Sequence, residues 1–456
     1  MLLRVRHPLT HNILKRIPTL VPQLRHFHPC PPRRLFGLHL PEPSNEPLAG
    51  TGVDASGPPW VFLLQVVLGL PTALWLYKCI MLVAFQRRII YLPSVPPGTR
   101  DESLADGERT KDRDSSLSGM QWQEVSVTST VPTRWTRRPV TLKGIELSWK
   151  EKEKGQETLP SEQEAGQQHV VIVYLQGNAG TPLMRLPVFR QLLRPSPPSR
   201  NLRPPITPHA VPKITVLAVA PRSYWLSTRS TPTEQAVLGD YAAALEYARV
   251  EHGPHANYVL YGHSLGGAAA VLLLEKLGHS PFLPLSRLSS WPSSLSSSSA
   301  SYHPATLPVN AIILENPLPS IPYMVRALYP QKWLPYHYLG PFAFDRWAAM
   351  ERLSRLSPSS TSEATGSLPP SLWIRSGRDE IIPHGQEDGV RRMYEDWSQV
   401  EEGAEEFGKA RWVDVEGALH DTAFLEAKWA REIKVFLVEI AKKGKQGCGH
   451  ARKDSK

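Results

Sequence analysis

Short runs rich in β-branched and aromatic residues recur along most of the chain, separated by longer segments of helical periodicity. The runs fall at Trp122–Thr128, Val140–Trp149, Val170–Leu175, Ile214–Ala220, Tyr258–Tyr261, Ala311–Glu315, Leu372–Arg375 and Arg411–Val415. Most are bounded by Gly, Pro or polar clusters and are short enough to be strands. Helical patterns occupy Thr233–Val250 and Gly266–Leu277. No helical segment separates the first two runs, so the order reads as an antiparallel start followed by strand–helix units. It predicts one eight-stranded, mostly parallel sheet with helices on both faces.

A different pattern precedes these runs. Trp60–Phe85 is a stretch of 26 predominantly apolar residues, interrupted by Gln65, Pro71 and Lys78. That length suffices for a hydrocarbon core of ~30 Å, and Lys78 lies near enough to the end to snorkel to the interface. The stretch predicts one transmembrane helix over 59–86. Arg87 and Arg88 follow it directly, whereas residues 40–59 hold no Lys or Arg. This bias favours the cytosolic or matrix side for everything C-terminal to it. The remaining divisions are a basic leader at 1–50, a juxtamembrane linker at 87–119, the α/β domain at 120–441 and a basic tail at 442–456. Pro- and Ser-rich compositions at 194–212, 280–308 and 354–370 read as disordered insertions. The stretch 317–353 is long enough to cap a site.

Charge narrows the partners. The net charge of +10 sits in the two ends: residues 1–50 hold seven Arg/Lys against two Glu, and residues 441–456 six against one Asp. The region between is neutral, which argues against nucleic acid as a partner and favours anionic lipid or an import apparatus. The leader has no acidic residue before Glu42 and resembles a mitochondrial transit peptide. A single-pass membrane location follows, mitochondrial or in the endoplasmic reticulum and endomembranes. The three cysteines, Cys30, Cys79 and Cys448, suggest neither a disulfide framework nor a thiolate metal site. No metal and no cofactor are expected.

The candidate chemistry lies at residues 262–266, Gly-His-Ser-Leu-Gly, between the strand Tyr258–Tyr261 and the helix former GAAAVLLLEKL. A strand-to-helix turn of this kind exposes its central serine and aims Oγ at a helix N-terminus. Ser264 is therefore the candidate nucleophile. It needs a base, for which His420 qualifies, five residues after the last strand in GALHDTAF. Asp379, in SGRDEIIP directly after the seventh strand, is the candidate acid that would orient the imidazole. Glu315, ending the sixth strand, is the alternative acid. The oxyanion would be held by the N–H groups of Leu265 and Asn178, the latter in the loop Gln176–Gly180 after the third strand. His263 reads as a packing residue of the turn.

Taken in order, FQRRIIYLP, QGNAG, PTEQAVLGDYAAALEY, YGHSLGG, LENPLPSIPYMV, LYPQKWLPYHYLG, SGRDEIIP and EGALHDTAF resemble the single-pass membrane hydrolases of the abhydrolase-domain type, including the fungal bud-emergence-type proteins. The resemblance covers roughly residues 87–440. It implies the α/β-hydrolase fold and a cofactor-independent serine hydrolase with a Ser264–His420–Asp379 triad. Its expected substrates are esters or thioesters: monoacylglycerols, lysophospholipids or S-palmitoylated proteins. Two stretches depart from the family pattern. The usual His-Gly-Asn is Gln176-Gly177-Asn178, and a loop that commonly reads YRGYGxS is Ala220-Pro221-Arg222-Ser223-Tyr224-Trp225. The aromatic residues Trp333, Tyr336, Tyr338, Phe342, Phe344 and Trp347 in the cap region suit an acyl chain. The competing reading is a membrane scaffold that keeps the fold without the catalysis.

Overall fold

In the computed structural model, eight strands pair into one sheet of order β1-β2-β4-β3-β5-β6-β7-β8. They are β1 (Met120–Ser129), β2 (Val140–Trp149), β3 (His169–Leu175), β4 (Lys213–Val219), β5 (Asn257–His263), β6 (Ala311–Glu315), β7 (Ser371–Ser376) and β8 (Arg411–Val415). Strand β2 runs antiparallel to both its neighbours, and every pairing from β4 to β8 is parallel. The structure describes residues 59–102, 117–131, 138–150, 168–195, 212–277, 309–356, 368–384, 388–400 and 410–451. The expected basic leader at 1–50, positions 103–116 of the linker, the whole insertion expected at 280–308, and positions 196–211 and 357–367 of those expected at 194–212 and 354–370 lie outside them. The chain divides into two compact units, Met1–Leu63 and Leu64–Lys456. Only 59–63, the start of the apolar helix, are described in the first.

The helices are α1 (Pro59–Ala84), α2 (Gln86–Ile90), α3 (Leu186–Leu193), α4 (Glu234–His252), α5 (Leu265–Lys276), α6 (Ile321–Leu328), α7 (Ala349–Leu353), α8 (Gly389–Val400) and α9 (Ala427–Ala451). Strand order moves one way from β3 to β4 and the other way from β4 onward. Right-handed crossovers therefore place the connecting helices on opposite faces; accordingly α3 packs on α9, and α4 packs on α5. Strands β5, β6 and β7 are buried along their whole length, which explains their unbroken apolar runs. Edge strand β1 instead largely alternates between buried and exposed positions. Helix α9 continues to Ala451, into the segment 442–456 expected as a tail.

Register brings the C-terminal ends of the central strands level. Leu175 of β3 pairs with Gly262, His263 with Glu315, Glu315 with Ile374, and Ser376 with Val415. Loops leaving these ends converge on one edge, where open α/β sheets carry their sites. Helix α1 is long and apolar enough to cross a membrane, and none of its most apolar stretch is buried.

One buried ion pair fixes the loop after β4. Arg222 and Asp240 are both almost fully buried, and the guanidinium donates to Asp240 at 2.6 and 2.9 Å while the Arg222 N–H adds a third bond at 2.9 Å. The same guanidinium reaches Val131 O at 3.2 Å, so β1, the β4 loop and α4 share one charge. Removing one partner of such a pair leaves an uncompensated buried charge. Asp240→Ala should therefore cost about 3–5 kcal/mol of stability. In contrast, Glu395→Ala, which breaks the exposed Arg391–Glu395 pair, should cost about 0.5 kcal/mol or less. Denaturant titration of the two variants measures the difference.

Candidate active site

The site begins with a backbone constraint. Ser264 lies between β5 and α5 at φ +55° and ψ −118°, a conformation that side chains other than glycine rarely adopt. The strand and the helix approach so closely there that a Cβ at Gly262 would stand 2.3 Å from Gly266 O, and one at Gly266 would stand 2.0 Å from Leu175 O. Only glycine fits either position. Neighbouring strands hold the turn: Ser264 N–H donates to Glu315 O at 3.0 Å, and Leu318 N–H donates to Ser264 O at 3.0 Å. Ser264 itself stays partly exposed, while the residues around it are buried.

Asp379 and His420 meet at the same edge. Asp379 follows β7, and its carboxylate contacts His420 Nδ1 at 2.9 and 3.0 Å. Its other partners are Arg375 Nη1 at 2.7 Å and the N–H groups of Ile381 and Ile382, each at 2.9 Å. Burial alone would raise the carboxyl. The hydrogen bond from His420 and its charge, with the two N–H groups, outweigh burial and hold it below its ordinary value. A carboxylate bound this way fixes the proton of His420 on Nδ1 and leaves Nε2 as the acceptor.

The His420 backbone is held as firmly as its ring. Its N–H donates to Glu380 Oε2 at 3.0 Å, and its carbonyl accepts from Asn316 Nδ2 at 2.9 Å. Asn316, at φ +44°, also accepts the Ser376 N–H at 2.8 Å, which ties the β6, β7 and β8 loops together. Asn tolerates the left-handed region better than most residues. Glu315 points elsewhere: its carboxylate accepts from Tyr261 Oη and, at 3.0 Å, from Trp429 Nε1. Burial raises its carboxyl, and hydrogen bonds from Tyr261 and Trp429 only partly offset the rise. Asp379, not Glu315, thus faces His420.

A second histidine adjoins this pair. The His263 and His420 ring centroids are 5.0 Å apart. Arg185 Nη2 lies 3.0 Å from His263 Nδ1 and 2.5 Å from Asp421 Oδ1. A guanidinium only donates, so Nδ1 is the acceptor and Nε2 carries the proton, 3.2 Å from His420 O. Burial, then Arg185, then His420 push the His263 imidazole well below its ordinary value. His263, His420 and Asp421 offer ligand atoms within 4.8 Å of one another. Arg185 already supplies the cation there, and its charge opposes a divalent ion.

Of the oxyanion candidates, Leu265 directly follows Ser264, and Asn178 follows Gly177, which lies close to Ser264. Leu265 opens α5, and a Cβ at Gly177 would stand 3.6 Å from that of Ser264. Asn178 is held through its carbonyl, which accepts from Leu92 N–H and Tyr224 Oη, each at 2.9 Å. Gly180 N–H donates to Val95 O at 2.9 Å. The segment just after the apolar helix therefore braces the loop. Gln176 is buried with both amide atoms unpartnered, beside a small cavity lined by Gly177, Leu265, Tyr91, Tyr224, Tyr241 and Trp347.

The structure thus brings Asp379 onto His420, and Leu265, Gly177 and His263 around Ser264. The His420 ring bonds to Asp379 and makes no hydrogen bond to Ser264. Sequence reasoning missed Arg185, Asn316, Glu380 and Leu92. Only Asn316 carried a local signal, an Asn at a strand exit.

This strand order, with the turn after β5, the carboxylate after β7 and the histidine after β8, defines an α/β-hydrolase domain. No family model matches the chain. It is 23% identical over 244 residues to the protein bem46 of Schizosaccharomyces pombe, a match covering 53% of this chain and 62% of that protein; the chain thus spans less than two thirds of that relative's length. Among solved structures it is similar to an α/β hydrolase of Vibrio vulnificus (14% identity, TM-score 0.42, covering 76% of this chain and 91% of that one). It is also similar to an esterase of Pyrococcus furiosus (14%, 0.39, 72% and 93%). The fold assignment rests on the strand order and the turn at Ser264.

Because the folded His263 value is depressed, the unfolded chain takes up that proton first. Stability is therefore present above the ordinary histidine value, about 6.5, and is lost as pH falls through it. Replacing His263 with Gln should remove part of the loss between pH 7 and 5, by up to about 1.4 kcal/mol per pH unit. Denaturation midpoints of wild type and His263→Gln across that range test it; parallel curves would contradict it.

Proposed function

We propose that the protein is a membrane-anchored serine hydrolase that cleaves ester or thioester bonds of acyl lipids or lipidated proteins. The observations that carry this reading are the buried Asp379–His420 pair at the exits of β7 and β8 and the strained, partly exposed Ser264 at the exit of β5. In the proposed reaction, Ser264 Oγ forms a bond to the acyl carbonyl carbon as His420 Nε2 takes its proton. Asp379 stabilises the imidazolium and stays ionised. The N–H groups of Leu265 and Asn178 hold the oxyanion. His420 then gives the proton to the leaving oxygen or sulfur as that bond breaks. Water, deprotonated by His420, attacks the acyl carbon; the bond to Oγ breaks as His420 returns that proton to Oγ, which gives the carboxylic acid and free Ser264. The protein's own residues supply every proton transfer in this sequence.

The helix α1 supports the choice of a membrane-resident substrate, because it would hold the site where such substrates are. The competing scaffold reading draws on the departures at Gln176 and at the Pro221 loop. Turnover of acyl esters and thioesters by the full-length protein in vesicles separates the two. The hydrolase reading expects losses on the order of a million-fold for Ser264→Ala or His420→Ala and ten-thousand-fold for Asp379→Asn. Glu315→Gln should cost far less. Turnover that survives Ser264→Ala would contradict Ser264 as the nucleophile, and folded wild type that cleaves none of these substrates would favour the scaffold.

A further inference from the structure

Across residues 333–347 the six aromatic residues of the cap region fall into two sets. Tyr336 and Trp347 are buried, Trp347 lining the cavity beside Gln176. The others face outward: Trp333 is 70% exposed, Tyr338 58%, Phe342 60% and Phe344 62%. Leu328, 64% exposed, lies in the same short stretch of chain, and large apolar side chains exposed this densely mark an interaction surface.

This surface is fastened to the C-terminal end of α1. The Trp75 and Trp333 ring centroids are 6.0 Å apart. Lys78, the one charged residue of α1, places Nζ 4.3 Å from the Tyr336 ring centroid and 5.7 Å from that of Tyr329. Gln86 bonds to the backbone of Phe342 at 3.2 Å and of Phe344 at 2.6 Å, and Arg87 pairs with Asp345 at 2.9 Å. The cap thus follows the helix from Trp75 to Arg87.

Helix geometry then sets a depth. Trp60–Tyr77 is 18 residues, which rise about 27 Å, close to a hydrocarbon core of about 30 Å. Lys78 falls at the boundary of such a span, and the cap rings against Trp75 and Lys78 fall there too. Tyrosine and tryptophan concentrate at that level of a membrane. The charges fit as well. Across residues 321–348 the one acidic residue, Asp345, is buried against Arg87, while Arg326, Lys332 and Arg346 are exposed, as is Arg88 nearby. An exposed surface with basic and no acidic groups suits anionic headgroups.

We propose that the cap is a membrane-seating surface. Its outward rings sit at the headgroup level of the leaflet from which α1 emerges, and its cations face the lipid phosphates. The inference rests on α1 crossing the bilayer and does not need the site to be catalytic. If the site is catalytic, its cap touches the leaflet, so a lipid substrate has a short path to it.

The test uses the full-length chain with Cys30, Cys79 and Cys448 replaced by Ser, reconstituted in phosphatidylcholine–phosphatidylserine vesicles. An environment-sensitive fluorophore is attached at Phe342→Cys or Phe344→Cys, at Leu70→Cys in α1, and at Val250→Cys on exposed α4. Lipids with a nitroxide near the headgroup should quench positions 342 and 344. Deep nitroxides should quench position 70, and neither should quench position 250. If 342 and 344 behave like 250 while 70 is quenched, the seating surface is wrong and the anchor stands. If 70 is not quenched either, α1 does not span the bilayer, and the inference falls with it.

Discussion

The structure depends first on how closely α5 can approach β5 and the end of β3. Gly262 and Gly266 leave no room for a Cβ, and that closeness forces Ser264 into a positive φ. A backbone held this way costs on the order of 1–3 kcal/mol and persists only where surrounding bonds over-determine it. Here they come from β6 and its exit loop, through Glu315 O and Leu318 N–H. The same exit loop carries Asn316, which positions the His420 carbonyl. One strained turn and its support therefore set both sides of the site.

Around that turn, charge is arranged so that each histidine has one defined proton. Asp379 accepts a hydrogen bond from His420 Nδ1–H, while Arg185 donates to His263 Nδ1 and keeps that ring neutral. The two rings are neighbours, and two imidazolium ions this close would repel each other. Keeping His263 neutral leaves the vicinity of His420 able to accept a proton.

Much of the fold was legible in the sequence, because its signals are local. Strands β2, β6 and β8 match their apolar runs residue for residue, and the ends of the others differ from those runs by at most two residues. The turn at Ser264 was legible because its glycines are a steric requirement written at fixed spacing. What was not legible depends on contacts far apart in the chain. Arg185 meets Asp421 across 236 positions, and Arg87 meets Asp345 across 258; no local pattern marks either pair. Leu92 braces Asn178 through backbone alone, so its side chain carries no trace of the role. The cap rings were expected to suit an acyl chain. Composition suggested an apolar segment but held no information on which face each ring takes.

The central claim is that Ser264 is an activated nucleophile. The most direct measurement is fluorophosphonate labelling of the full-length protein in membranes, followed by peptide mapping of the adduct. The account predicts a single adduct on Ser264, formed slowly or not at all once His420 is replaced by Ala. Folded protein that takes up no label, or an adduct on another residue, would contradict it.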